Sequence, residues 1–247
     1  MAIRENYMEY RYIGNSGLRV SPICMGTMGF GTWSDKSEAF RILDASYERG
    51  INFFDTAEVY PVPPTAELAG LTEEIFGEWV QTKPRDSIII ATKVAGAASG
   101  WIVPPIRYGL TAIDRHHIEN AIEGSLRRLN IEYVDLYQVH WPDNVVPIEE
   151  SMEALDRLVE SGKVRYLGTS NENAYGLTKA NTVAQYEGLR IEPLGGSSST
   201  VVICESCPAS VLASIGGPVR GYKGSGGPPR EKRADILKLL SRHGVRV

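Results

Sequence analysis

The chain has 247 residues, of which 43% are hydrophobic and 23% are charged, as is ordinary for a globular domain in water. Its formal net charge of −4 argues against nucleic acid or an anionic membrane surface as the main partner. The N-terminus shows no apolar signal segment, and no run reaches the roughly 18 apolar residues of a membrane-spanning helix. We therefore expect neither secretion nor membrane insertion, and the cytoplasm is the default compartment.

The chain opens with a predicted β-hairpin, in which two short alternating segments flank a turn at residues 15–17. A short apolar run follows, ending near Met28. Asp35, with Glu38 three residues later, has the spacing of a capping box and predicts the start of a helix. Gly50 supplies the residue that ends this helix.

Strand-like runs then alternate with amphipathic helices through the middle of the chain. A predicted Asp114 cap and Pro147 as a first helical residue, with Gly162 as the stop, define two of the helices. This alternation specifies a parallel α/β sheet. The predicted strands after the first apolar run are Ile51–Asp55, Ile88–Lys93, Val134–Val139 and Val164–Thr169.

The sheet could be an open, doubly wound one or a closed barrel. The open dinucleotide-binding fold favours a G-x-G-x-x-G loop, and the glycines at 26, 29 and 31 have the wrong spacing. Polar residues also end nearly every predicted strand, as is typical of a (β/α)8 TIM barrel. We therefore predict a single-domain (β/α)8 barrel preceded by a β-hairpin.

Four chemically distinct side chains lie at or just past the ends of three successive predicted strands. Asp55 and Tyr60 follow the first, Lys93 the second and His140 the third. The intervals from Asp55 to Lys93 and from Lys93 to His140 are 38 and 47 residues, each enough for a helix and its loops. Because the ends of parallel barrel strands open onto one rim, we expect these side chains to converge.

The motifs around these residues resemble those of the aldo-keto reductases. They are the segments 50–60 (GINFFDTAEVY), 91–93 (ATK), 134–140 (VDLYQVH) and 168–171 (GTSN). The segments 60–64 and 139–143 are similar to the Tas-like and potassium-channel β-subunit-like branch. The resemblance runs from about Glu9 to Glu192.

The resemblance implies reduction of aldehydes or ketones with bound NADP(H) and without a metal. In that reaction Tyr60 gives the proton, and a neighbouring Lys93 ammonium lowers the pKa of the phenol. Asp55 keeps Lys93 charged, and His140 donates a hydrogen bond to the carbonyl oxygen. By resemblance, the cofactor contacts are Gly26, Thr27, Met28, Asp55, Ser170 and Asn171. The wall of the substrate pocket is formed by Trp141, and Trp33 is a weaker candidate for it.

The resemblance breaks after about residue 192. Residues 193–229 are rich in Gly, Ser and Pro and have no regular period, so we expect an irregular stretch that could be disordered. Residues 230–247 again look like a family helix and the start of a strand. The 78 residues after Thr169 cannot contain three further strand–helix units at the earlier spacing. We therefore expect a barrel incomplete at its C-terminus, from a shortened or misread version of a longer reductase.

Two further questions remain open from the sequence. Cys204 and Cys207 form a C-x-x-C pair, which could be half of a zinc site with His243, a redox pair before Pro208, or two incidental thiols; the last is favoured.

The rivals to a reductase are a cofactor-binding regulatory subunit and an inactive fragment. The physiological substrate, the choice between NADPH and NADH, and the oligomeric state are not determined.

Overall fold

The structure of the protein is a computed structural model that describes residues 8–14, 16–98 and 103–186. The expectations for Asn15, for the C-x-x-C pair and for residues 193–247 lie outside the described residues. The strands are β1 (Arg11–Tyr12), β2 (Arg19–Val20), β3 (Cys24–Gly26), β4 (Phe53–Asp55), β5 (Ile89–Val94), β6 (Val134–Val139) and β7 (Val164–Thr169). The α-helices are α1 (Lys36–Glu48), α2 (Leu71–Val80), α3 (Arg115–Leu129), α4 (Ile148–Glu160) and α5 (Ala174–Tyr186), and short 3-10 helices span Arg85–Ser87 and Arg107–Gly109.

The strands form an antiparallel hairpin and one parallel sheet. β1 pairs with β2, and the sheet has the sequential order β3-β4-β5-β6-β7. Each strand of the parallel sheet is followed by a helix, so the predicted α/β alternation and hairpin are confirmed. β4 begins at Phe53 and not at Ile51, because the side chain of Asn52 bonds the backbone of Ser21 and Arg19 at the end of the hairpin.

The predicted helix signals lie where they were expected, with one shift. Asp35 Oδ1 accepts from Glu38 N at 2.9 Å, and Asp114 Oδ1 accepts from His117 N at 2.8 Å. Gly50, at φ 85°, follows the C-terminal cap of α1, a left-handed conformation that glycine adopts without strain. Pro147 precedes α4 and is not its first residue, because its ψ of 131° is extended.

Alternation along the strands separates two apolar layers. On β4, Phe54 joins the large core between sheet and helices, whereas Phe53 lies on the opposite, inner face. The hairpin packs against this inner face through its buried apolar residues. The hydroxyl of Tyr166 on β7 also accepts a hydrogen bond from Gly17 N at 2.8 Å. The hairpin thus covers the inner face near the amino ends of the strands and leaves the carboxyl ends to the polar residues. The inner layer consists of Ile13, Leu18, Val20, Cys24, Phe53, Ala91 and Leu136.

None of the helices in the described residues is both long and apolar enough to cross a membrane.

Candidate active site

The four polar side chains that end the strands meet around the ammonium group of Lys93. Lys93 Nζ donates to Asp55 Oδ2 at 2.7 Å and to the carbonyl oxygen of Thr56 at 2.8 Å, and it lies 3.2 Å from Tyr60 Oη. The His140 ring packs edge-on against Tyr60, with 5.6 Å between ring centroids. Each of the four predicted residues is at most 3% exposed. The structure therefore brings together the whole predicted set in one buried cluster.

The sheet register and the turn after β4 create this convergence. Asp55 is opposite Ala91, and Lys93 is opposite Gln138, two residues before His140. The turn then folds back across β5, because Thr56 N donates to Ala91 O at 2.9 Å. Tyr60 is thereby carried over the end of the neighbouring strand. This is the carboxyl edge of the sheet, where barrel proteins assemble their sites.

Burial and the charge of Lys93 shift the pKa values of Asp55 and His140. Burial raises the pKa of Asp55, and this effect outweighs the charge and hydrogen bond of Lys93 and the hydrogen bond from Gln138, which act in the opposite direction. Burial, reinforced by the charge of Lys93, lowers the pKa of His140 well below its ordinary 6.5. His140 is therefore neutral at pH 7, with one ring nitrogen carrying a proton that it can donate.

Two partners of the cluster were missed by the sequence reasoning. Gln138 Nε2 donates to Asp55 Oδ1 at 3.1 Å, so the two oxygens of Asp55 bind different partners. The carbonyl of Thr56 accepts from Lys93. Gln138 had a usable signal, since it lies two residues before His140 on β6 and alternate residues of a strand share a face. The Thr56 carbonyl had no side-chain signal.

The residues predicted to bind a cofactor flank the cluster on two sides. Gly26 lies opposite Asp55 in the sheet, and the Thr27 hydroxyl donates to the Asp55 carbonyl at 2.9 Å. On the other side, Asn171 Nδ2 donates to the His140 carbonyl at 2.9 Å and lies 3.2 Å from Ser170 Oγ. A hydroxyl and a carboxamide next to the His140 backbone are chemically matched to a nicotinamide carboxamide, which both donates and accepts hydrogen bonds. The residues present therefore fit this group.

The two tryptophans predicted to form the pocket wall occupy different environments. Trp141 is buried, its ring centroid is 4.7 Å from that of His140, and its Nε1 donates to Ala97 O at 2.8 Å. It belongs to an apolar cluster with Tyr60 and Met28. Trp33 lies in the turn after β3 and is 58% exposed. Trp141 is thus a wall of the described site, whereas Trp33 presents its ring mainly to solvent.

A separate cavity of about 110 Å³ lies between β6 and β7 and helices α4 and α5. Its lining is mostly apolar and includes Met152, Leu155 and Leu167. It does not include Asp55, Tyr60, Lys93 or His140. Its lining does include Gln138, so the cavity adjoins the Lys93 cluster through the Gln138–Asp55 hydrogen bond.

The fold and the cluster together define an α/β barrel-type protein with a buried polar site at the carboxyl ends of its strands. The sequence profile described as "Aldo/keto reductase family" matches residues 22–191. The chain belongs to the aldo/keto reductase family, and the predicted family and fold class are confirmed.

Individual relatives agree with this assignment. The chain is 41% identical over 180 residues to "Uncharacterized oxidoreductase YrpG" of Bacillus subtilis, covering 72% of this chain and 54% of that protein. It is 39% identical over 193 residues to "Protein tas" of Escherichia coli (70% and 54% covered). It is 37% identical over 180 residues to "Probable voltage-gated potassium channel subunit beta" of rice, Oryza sativa subsp. japonica (72% and 51% covered). The chain thus spans about half the length of these relatives.

A solved structure has a similar fold. It is the thermostable aldo-keto reductase Tm1743 in complex with the inhibitor epalrestat, with a TM-score of 0.61 and 30% sequence identity. The match covers 72% of this chain and 59% of that one.

Proposed function

We propose that the protein is an NADP(H)-dependent oxidoreductase that reduces aldehydes or ketones to alcohols, with Tyr60 as the general acid. The single observation that supports this most strongly is the position of Lys93 Nζ, which lies within hydrogen-bond distance of both Asp55 Oδ2 and Tyr60 Oη in a buried site. An ammonium held charged beside a phenol is an arrangement suited to proton transfer at neutral pH.

The reaction needs a hydride for the carbonyl carbon and a proton for its oxygen. NADPH supplies the hydride when it is bound. Tyr60 Oη supplies the proton, and Lys93 stabilises the phenolate that remains. Neutral His140 donates a hydrogen bond to the carbonyl oxygen and stabilises the negative charge that develops there. Ser170 and Asn171 would bind the nicotinamide carboxamide, and Trp141 would form an apolar wall for an uncharged substrate.

Two linked measurements test this proposal. NADPH is titrated into the purified chain with fluorescence quenching as the signal, and oxidation of NADPH is then followed after an aromatic aldehyde is added. Tyr60→Phe should lower the rate by about 100- to 10,000-fold, as expected for loss of a general acid, and should leave NADPH affinity unchanged.

Tyr47→Phe is the matched control, because it also removes one tyrosine hydroxyl, here bonded to Ser87 Oγ at 2.8 Å. It should retain the wild-type rate. If Tyr60→Phe also retains that rate, Tyr60 is not the proton donor.

A second candidate function is that of a cofactor-binding regulatory subunit. The similarity to the rice protein named as a potassium channel β subunit favours it. NADPH binding without aldehyde-dependent oxidation would support this alternative, whereas turnover would support the reductase.

A further inference from the structure

A second buried ion pair lies beside the Tyr60 turn. Arg107 binds Glu58 with both ends of its guanidinium, Nη1 to Oε2 at 2.7 Å and Nη2 to Oε1 at 2.8 Å. The Glu58 side chain is 4% exposed and that of Arg107 is 22% exposed. Such two-point pairs fix geometry more strictly than single contacts do. The Glu58–Arg107 pair therefore constrains the segments that carry the two residues.

Glu58 also joins the Tyr60 turn to the strand that carries Lys93. Its Oε1 accepts from Ala95 N at 2.7 Å, just past the end of β5. Its backbone N lies 3.4 Å from the Lys93 carbonyl oxygen. Glu58 is two residues before Tyr60, so the carboxylate connects the chain bearing the phenol to the chain bearing the ammonium. The carboxylate thus ties the Tyr60 turn to the end of β5.

Arg107 lies in a segment whose backbone conformation requires support. Arg107, Tyr108 and Gly109 have φ values of 48°, 56° and 74°, and the left-handed region is unfavourable for a residue with a Cβ. Ile106, directly before them, packs on the apolar cluster that contains Tyr60. In the Arg107 guanidinium, the hydrogen bond and charge of Glu58 raise the pKa although burial opposes them. The Glu58–Arg107 pair therefore holds the segment 106–109 in place, with Ile106 packed on the apolar cluster that contains Tyr60.

We infer that Glu58 and Arg107 are positioning residues that set the geometry between Tyr60 and Lys93. Neither is placed to react with substrate, and both act through the Tyr60 turn. The role in catalysis rests on the proposed reductase function, whereas the geometric role can be measured without turnover.

The kinetic test uses Glu58→Gln, which retains an oxygen that can accept from Ala95 N but removes the charge. Its kcat should fall by about 10- to 100-fold, the size of effect that small misplacements cause. Its Kd for NADPH should stay within about twofold of the wild-type value, because only the proton-transfer geometry changes. Arg107→Met should behave in the same way.

Arg85→Met is the matched control. It breaks a pair of similar burial, Arg85 Nη2 to Asp135 Oδ2 at 2.6 Å, with side chains 22% and 1% exposed, which lies at the amino ends of β5 and β6, away from the Tyr60 turn. It should lower Tm, with kcat within about threefold of wild type. Equal losses of kcat in Arg85→Met and Arg107→Met would overturn the inference.

A spectroscopic measurement decides the matter if the wild-type chain shows no turnover, in which case the proposed function fails by itself. Tyrosine is labelled with 13C at Cζ, and the Tyr60 resonance is assigned by its loss in Tyr60→Phe. The resonance should shift in Glu58→Gln and stay in place in Arg85→Met. A Tyr60 resonance at the wild-type position in Glu58→Gln would refute the positioning role.

Discussion

Replacing Lys93 by Met tests the centre of the site most directly. The substitution keeps a long, unbranched side chain in the buried space and removes only the charge and the donors. Asp55, itself buried, then loses the ammonium that lies 2.7 Å from its Oδ2. Gln138 remains as a hydrogen-bond donor to the other oxygen, but it is uncharged.

The magnitude follows from this distance. Two unit charges 2.7 Å apart attract by about 6 kcal/mol at an effective dielectric constant of about 20. Desolvation of both groups offsets part of this attraction, but removing one partner leaves the other buried and unpaired. Breaking such a pair destabilises proteins by about 3–5 kcal/mol. We expect a loss of that size in the free energy of unfolding of Lys93→Met at pH 7.

The dependence on pH has a definite sign. Burial already raises the pKa of Asp55 above its ordinary 3.8, with Lys93 acting to lower it. Without Lys93, the folded state retains the Asp55 proton to a higher pH than the unfolded state does. Protonated Asp55 therefore contributes most to the stability of Lys93→Met near and below pH 3.8, where the variant comes closest to wild type. This contribution is lost as pH rises through the folded-state pKa of Asp55.

Urea unfolding of a double-mutant cycle measures this effect. Lys93→Met, Asp55→Asn and the combined variant are compared with wild type, and the combination should cost less than the sum of the single changes by about 1–3 kcal/mol. Lys163→Met is the control, because its pair with Glu123 is exposed and should contribute about 0–1 kcal/mol. Additivity of the two buried substitutions within about 0.5 kcal/mol would refute a coupled pair.

Two further predictions concern groups near the same site. Burial and Lys93 lower the pKa of His140 well below 6.5, so on acidification the unfolded state binds a proton that the folded state does not. The free energy of unfolding should therefore fall by about 1.4 kcal/mol as pH is lowered from neutral to 5.5. Urea unfolding of His140→Gln should lack this loss, and wild-type and His140→Gln stabilities that change in parallel with pH would contradict the prediction. Burial, with a smaller effect of Asp55, raises the pKa of the Cys24 thiol well above 9.0 against the opposing charge of Lys93. In a Cys204→Ser/Cys207→Ser background, iodoacetamide should therefore modify Cys24 only after unfolding; rapid native modification, detected by mass spectrometry, would show the thiol to be accessible.

The site residues that could be predicted from the sequence are those at regular positions. Lys93 and His140 end recognisable apolar runs, and parallel topology brings such ends to one edge. Asp35 and Asp114 were found because a helix start has a local signature.

Apart from Gln138, which lies on the regular strand β6, the features that were missed depend on irregular backbone. Glu58 and Arg107 are 49 residues apart, and they meet through a segment in which Arg107 and Tyr108 adopt left-handed conformations that non-glycine residues rarely take. No periodic pattern reports such a contact. Trp33 was a weaker candidate than Trp141 for the pocket wall, and the sequence does not fix the direction of a side chain in a turn.

The hairpin at the start of the described chain has a consequence for how the protein can diversify. Leu18 and Val20 of the hairpin pack on the inner face of the sheet, and Gly17 N donates to the hydroxyl of Tyr166 on β7, 149 residues further along the chain. The hairpin thus links the amino ends of the first and last strands of the sheet. The loops at the opposite end of the strands can then vary while these contacts stay in place. The hairpin end can therefore stabilise the sheet without contacting the polar cluster, so changes in the loops there leave this part of the stability intact.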